Sequence, residues 1–196
     1  MKAEIQIMEK ASPTLETPRL LLRPLRVSDA PQIQQLFPHW EMLKYMATAI
    51  PWPYPEDGAQ TFLEATLPKN ETGLQYDWAI TLKANQDDQL IGIISLYPAS
   101  EEDSRGFWLG QAYQNQGLMK EAVFAINEFA FNELGMARLL LNNAEPNQAS
   151  HRLKEISGAR IIAIEEHVPF IGGQFRRVRW LLTREDWQTH RHQFLA

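Results

Sequence analysis

The sequence predicts a mixed α/β layer fold with a largely antiparallel sheet. Three observations carry that expectation. Between residues 76 and 110, three short runs of pleat-favouring residues succeed one another across polar turns. From Leu118 the apolar spacing becomes helical, and strand-like runs return only after that helix.

Each element follows in order. Residues 19–25 form a short apolar run, as a first strand does, and Ser28 and Asp29 then offer helix-capping oxygens to a helix over 30–37. A second helical stretch is expected over 41–45, and the proline-rich residues 50–55 read as a rigid loop within the domain. Glu56 and Asp57 open a helix that Pro68 is expected to stop at Leu67, with its acids at the positive end. Strands then cover 76–82, 90–97 and 106–110, with turns at 85–88 and 101–103. Met119, Ala122, Val123, Ile126, Phe129, Ala130 and Leu134 recur at three- and four-residue steps, so a helix lays one apolar stripe on the sheet until Gly135 ends it. A strand over 138–142, a short helix over 148–156, strands over 160–165 and 177–182 around Gly172 and Gly173, and a helical tail over 184–196 complete the chain.

Composition narrows the function. With 196 residues, 44% of them hydrophobic, residues 1–196 suffice for one domain with a sizeable core. The absence of cysteine removes disulfides, thiolate metal sites and a cysteine nucleophile together. Nineteen Lys plus Arg against 24 Asp plus Glu give a net charge of -5, which repels nucleic-acid phosphates and tolerates a cationic acceptor. No apolar run approaches the roughly 18 residues of a membrane span. The start at Met1, Lys2, Ala3 and Glu4 lacks the apolar core of a signal peptide, so a soluble, cytoplasmic protein is expected. The histidines have no metal-ligand spacing beyond His190 and His192 in the polar tail, and no metal site is expected.

The informative junction lies between the strand ending near Gly110 and the long helix. A helix N-terminus presents free backbone N–H groups and a positive dipole end, so an anion binds there without basic side chains. Gly117 permits close approach, Gln114, Asn115 and Gln116 add amides, and Lys120 adds charge. Taken locally, a diphosphate site and a plain connecting loop remain equal alternatives. No GxxxxGK[ST] loop occurs, and no GxGxxG opens a βαβ unit, which removes the NTPase and dinucleotide-binding readings.

Gln114, Gly117 and Met119 match the Gln/Arg-x-x-Gly-x-Gly/Ala signature of the GNAT acetyltransferase superfamily, although Met119 replaces a small residue and Asn115 a common glycine. The match extends through Thr17-Pro18-Arg19-Leu20-Leu21-Leu22-Arg23-Pro24, Gly106-Phe107-Trp108-Leu109-Gly110, Glu121-Ala122, Asn147-Gln148-Ala149-Ser150 and Gly158-Ala159. Over residues 14–183 the chain resembles the branch containing ribosomal-protein N-terminal acetyltransferases. That resemblance implies a sheet of about six to seven strands with helices on both faces, splayed where CoA enters. It implies acetyl-CoA as cosubstrate and direct attack by a primary amine, either a protein N-terminal α-amino group or a small amine. The segment Gln114, Asn115, Gln116, Gly117, Leu118, Met119 and Lys120 would hold the pyrophosphate, and Trp108, Leu109, Gly110 and Asn147 the pantetheine. Ser150 would lie near the sulfur as a proton donor, while Asn147 and Ser150 also suit ordinary helix capping.

The base is the weak point of the match. Relatives often carry Glu two residues before the glycine of the Gly-aromatic-Trp step, and this chain has Ser104 there. Glu102 is the nearest candidate, followed by Glu145, with a water chain as alternative; Ser104 also leaves open a noncatalytic acyl-CoA-binding or regulatory module. Trp40, Tyr45, Trp52 and Tyr54 are candidates for an acceptor-pocket wall, and Arg176, Arg177 and Arg179 for either CoA phosphates or an outward strand face. Monomer and homodimer both remain open.

Overall fold

A computed structural model describes residues 12–85 and 87–194. The expected absence of a signal peptide at the chain start, Gln86 of the predicted turn and the last two residues of the predicted tail lie outside them.

Among the described residues, eight strands form two antiparallel sheets, in the orders β1-β2-β3-β4-β5 and β6-β8-β7. The first contains β1 (Leu15–Glu16), β2 (Leu20–Pro24), β3 (Tyr76–Leu82), β4 (Leu90–Leu96) and β5 (Arg105–Leu109). The second contains β6 (Arg138–Ala144), β7 (Arg160–Phe170) and β8 (Gly173–Thr183). The expected class therefore holds, and the splay is wide enough to divide the sheet in two.

Helices cover both faces of the five-stranded sheet. On one face α4 (Leu118–Glu128) buries Leu118, Ala122, Val123 and Ile126 against Trp78, Ile80, Ile94 and Leu96. Its stripe ends in a wider turn over Phe129–Glu133, where the extra residue per turn lets Phe129, Ala130 and Phe131 all be buried. On the opposite face α1 (Ala30–Leu36), α2 (Trp40–Leu43) and α3 (Gly58–Glu71) cover Ala79, Ile93 and Trp108. After β6 comes α5 (Gln148–Ile156), and after β8 α6 (Arg184–His190), whose Trp187 joins Leu139, Trp180 and Leu182 in the first core.

Two local expectations are corrected. Pro68 lies inside α3, because Asn70 is buried and hydrogen-bonds Asp77, holding the turn beyond the missing N–H, and Thr72 Oγ1 donates to the Lys69 carbonyl at 3.0 Å. Asp29 does not cap α1. Its carboxylate accepts from buried Arg23 at 2.9 and 2.7 Å and from the Arg26 N–H at 2.8 Å.

The two sheets touch at the start of β5. The Ser104 N–H donates to Leu140 O at 2.6 Å, Ser104 Oγ accepts the Leu140 N–H at 3.0 Å, and the Asp103 carboxylate accepts the Asn142 N–H. No ladder joins β5 to β6 beyond this point among the described residues, so a gap opens between the strands. Ser104→Ala removes the acceptor of the half-buried Leu140 N–H and is expected to cost about 1 kcal/mol in urea unfolding; an unchanged midpoint would mean that this seam is not needed.

Candidate active site

The loop entering α4 turns on two residues with positive φ, Asn115 at 60° and Gly117 at 76°. Glycine takes this left-handed region freely and asparagine tolerates it better than most residues, so Asn115 meets the same backbone demand that a glycine would. Gly117 is the N-cap of α4, and the helix's first amides have no carbonyl of the preceding turn to bond. The Met119 side chain packs against the core instead of covering that end. Gln114 Nε2 donates to Leu109 O at 2.8 Å, tying the loop to the end of β5, and Gln116 Nε2 donates to Ala112 O at 2.9 Å. Lys120 Nζ lies 6.0 Å from the Phe194 ring.

Arg19 clamps this loop from the start of β2. Its Nη1 donates to Gln116 O at 2.9 Å, its Nε to Glu121 Oε2 at 2.8 Å, and its backbone N–H to Glu121 Oε1 at 2.7 Å. Nη2 comes within 3.4 Å of where a Gly117 Cβ would stand, so a guanidinium borders the exposed helix end.

Across the gap, Asn147 caps α5 and its Oδ1 accepts the Ser150 N–H at 3.2 Å. Ser150 is buried, and its Oγ accepts from Lys154 Nζ at 2.7 Å. Lys154 and Arg105 are themselves buried. Burial lowers the affinity of Lys154 for its proton and raises that of Asp103, while the Asp103–Lys154 attraction works against both shifts. Arg105, also depressed by burial, donates through Nη1 to Asn127 Oδ1.

A cavity of about 460 Å³ opens on the α1–α3 face of β4 and β5. Its walls are mainly apolar, with Phe37, Ile50, Tyr54 and Phe62 opposite Ile93 and Trp108, and its polar border includes Ser95 and Tyr97 beside Gly106. Behind Ser95 lies Asp77, fully buried, which accepts from Ser95 Oγ.

The family model for the acetyltransferase (GNAT) domain matches residues 19–160, nearly three quarters of the chain. The chain belongs to the GNAT acetyltransferase family. It is an enzyme of that class, similar to the uncharacterized N-acetyltransferase YnaD of Bacillus subtilis (strain 168), at 26% identity over 74% of this chain and 82% of that protein. Its fold is shared with Mycobacterium smegmatis RimJ, solved with a CoA disulfide, at TM-score 0.79, 15% identity and 97% and 95% coverage of the two chains. It is shared also with the ribosomal-protein-S5-alanine acetyltransferase of Vibrio fischeri, at TM-score 0.73, 16% identity and 90% and 99% coverage.

In this acetyltransferase the predicted residues divide by place. Trp108, Leu109 and Gly110 lie at the end of β5, with Gln114 to Lys120 at the head of α4 and Asn147 and Ser150 at the head of α5. Glu102 is exposed in its turn and does not line the cavity. Glu145 is held by Arg176 at 2.8 Å, and Arg177 and Arg179 pair with Glu165 at 2.6 and 3.3 Å along the β7–β8 hairpin. Of the four candidate aromatics only Tyr54 lines the cavity; Trp40 and Trp52 contact each other, and Tyr45 meets Phe175. Among the described residues no group of three or more His, Asp or Glu is placed to hold a metal ion.

Sequence reasoning missed Arg19, Asp77, Ser95 and Lys154 as members of the site region. For Asp77 the available signal was a charged residue inside an otherwise apolar strand, whereas Lys154 sits in the polar run from Ser150 to Glu155 and gave none.

Glu121 supplies a prediction. Partial burial works to raise its pKa, but the Thr17 hydroxyl, the two Arg19 N–H donors and the Arg19 charge outweigh it and hold the carboxyl below its ordinary 4.5. A depressed native pKa contributes stability above the unfolded value and loses it as pH falls through the native one. The urea midpoint of Glu121→Gln should therefore lie below wild type at pH 7, with the gap closing below about pH 4.5. A gap independent of pH would refute the electrostatic account.

Proposed function

We propose that this acetyltransferase transfers the acetyl group of acetyl-CoA to a primary amine, by direct attack and without an acetyl-enzyme. The observation that carries the reading is the alignment of three features: the amide-bearing head of α4, the gap between β5 and β6, and the cavity on the other side of β5. Amides of residues 116–120 and the Arg19 guanidinium would hold the pyrophosphate. Main-chain groups of Trp108, Leu109 and Gly110, with the side chain of Asn147, would hold pantetheine along the gap. When bound, acetyl-CoA supplies an activated acyl carbon and a thiolate leaving group.

Ser150 suits the proton-donor role at that sulfur. Because Lys154 Nζ donates to Ser150 Oγ, the hydroxyl's own hydrogen is left to point elsewhere. The acceptor is a protein N-terminal α-amino group or a small amine, and similarity to a ribosomal-protein-S5-alanine acetyltransferase favours a protein N-terminus. Ser104 is engaged in the seam with Leu140 and offers no base, so a noncatalytic acyl-CoA-binding or regulatory module is the second reading.

A thiol-release assay with acetyl-CoA and a panel of peptide N-termini and small amines tests the reaction. Acetyl-CoA at a hundredfold excess over its Kd should add about 2.7 kcal/mol of stability. Gly117→Glu places a carboxylate at the proposed pyrophosphate site and should abolish that stabilisation and calorimetric binding. Its left-handed backbone alone should cost about 1–2 kcal/mol of stability. Undiminished acetyl-CoA affinity in this variant would reject the loop assignment.

A further inference from the structure

We propose that Ser95 and Tyr97 carry the proton of the acceptor amine from the cavity to the buried carboxylate of Asp77. The inference rests on the acetyl-transfer reading above and supplies the base that reading lacks.

The geometry is a row across the sheet. Asp77 of β3 is the register partner of Ser95 of β4, and Ser95 is the partner of Gly106 of β5. These residues share the face of Ala79, Ile93 and Trp108 by alternation, which is the face the cavity opens on. Ser95 Oγ donates to Asp77 Oδ1, and Ser95 also hydrogen-bonds the Tyr97 hydroxyl. The Tyr97 oxygen lies 3.5 Å from where a Gly106 Cβ would stand, so the absence of a side chain at Gly106 leaves its place to the phenol. Ser95, Tyr97 and Gly106 all border the cavity. A continuous run of hydroxyls thus leads from a fully buried carboxylate to the strand that faces the gap.

A carboxylate inside a sheet is costly unless it is held, and Gln75 Nε2 donates to Asp77 Oδ2 at 2.6 Å while Asn70 adds a further hydrogen bond. The ionisable groups acting on Asp77 and on its phenol are Lys69 of α3, Tyr97 and Asp103, the last engaged in turn by Lys154 and Arg105. Burial is the largest influence on Asp77 and raises its pKa, against the three hydrogen bonds and Lys69. Tyr97 is pushed up to about 12 by burial and by the Asp77 charge, so it stays protonated and passes a proton on instead of keeping one. Asp103 is already engaged by the Asn142 N–H and the two buried cations.

The step balances as follows. The ammonium form of the acceptor gives one proton to the hydroxyl chain, and the chain gives one to Asp77. The neutral nitrogen bonds to the acetyl carbon, the C–S bond breaks, the thiolate takes the Ser150 hydroxyl proton, and Ser150 and Asp77 are then reset by proton exchange with water. The amide product's surplus N–H proton leaves to water.

The test measures thiol release by the full chain with acetyl-CoA and peptides beginning with Ala, Ser or Met, across pH. Asp77→Asn should lower kcat about 10-fold at pH 7 and more steeply below it, with KM for acetyl-CoA unchanged, and the deficit should shrink as pH nears the amine's own pKa of about 7.7–8.0. Tyr97→Phe and Ser95→Ala should each lower kcat about 10-fold with the same recovery, and they carry the test if Asp77→Asn does not fold. Activity of the folded variants within about threefold of wild type, or a deficit constant with pH, overturns the relay alone. A wild type silent on every peptide and on the panel of small amines overturns the acetyl-transfer reading and the relay together.

Discussion

The bonds that tie Ser104 to Leu140 and Asp103 to Asn142 set where the two sheets meet, and therefore where they part. Parallel neighbours in one sheet would continue pairing along their length; here the pairing consists of a serine backbone, its hydroxyl and a carboxylate, after which β5 and β6 diverge. At the far end of β5 the Leu109 carbonyl is taken by Gln114 Nε2, the Gly110 N–H donates to Ile91 O and the Gly110 carbonyl accepts from Tyr113, so local loop contacts replace a ladder with β6 there. The heads of α4 and α5 follow directly from β5 and β6, so both helix N-termini arrive at the same gap. A substitution at the seam would therefore move the cavity wall and the loop together.

The second constraint is the tie between the first long strand and the long helix. Arg19 and Thr17 meet Glu121 a hundred residues away, and the same guanidinium holds the Gln116 carbonyl. The loop's shape is thus fixed from outside its own segment. Its exposed amides are held in place before any ligand arrives, which reduces the ordering that binding requires.

Much of the frame was legible because it depends on local pattern. The spans 76–82 and 148–156 follow from alternation and from capping, and the stripe from Leu118 follows from helical spacing. The misreadings arose where distant partners override local preference. Pro68 ends no helix because Asn70 is anchored to Asp77, and the Asp29 carboxylate turns back to Arg23 and the Arg26 N–H instead of capping α1. For the same reason Asp77 and Lys154 escaped notice: their chemistry comes from burial and from partners on other elements. Ser104 looked like a lost base in the sequence, whereas its hydroxyl is occupied in joining two sheets.

The cavity's chemistry bears on the acceptor itself. An ammonium group entering apolar walls loses hydration, which lowers its pKa, while the same burial raises that of Asp77. Both shifts narrow the gap that a proton must climb. For an α-amino group, with an ordinary pKa of about 7.7–8.0, the gap to an ordinary aspartate is about 4 units, or about 5–6 kcal/mol. For a lysine side chain near about 10.4 it is about 6.5 units, or about 9 kcal/mol. Shifts in these two directions narrow both gaps, and the second stays the larger by the full difference between the two amines. Under the proposed relay, a carboxylate as the terminal acceptor would favour a chain N-terminus over a lysine side chain on proton affinity alone, before any contact with the rest of the substrate contributes.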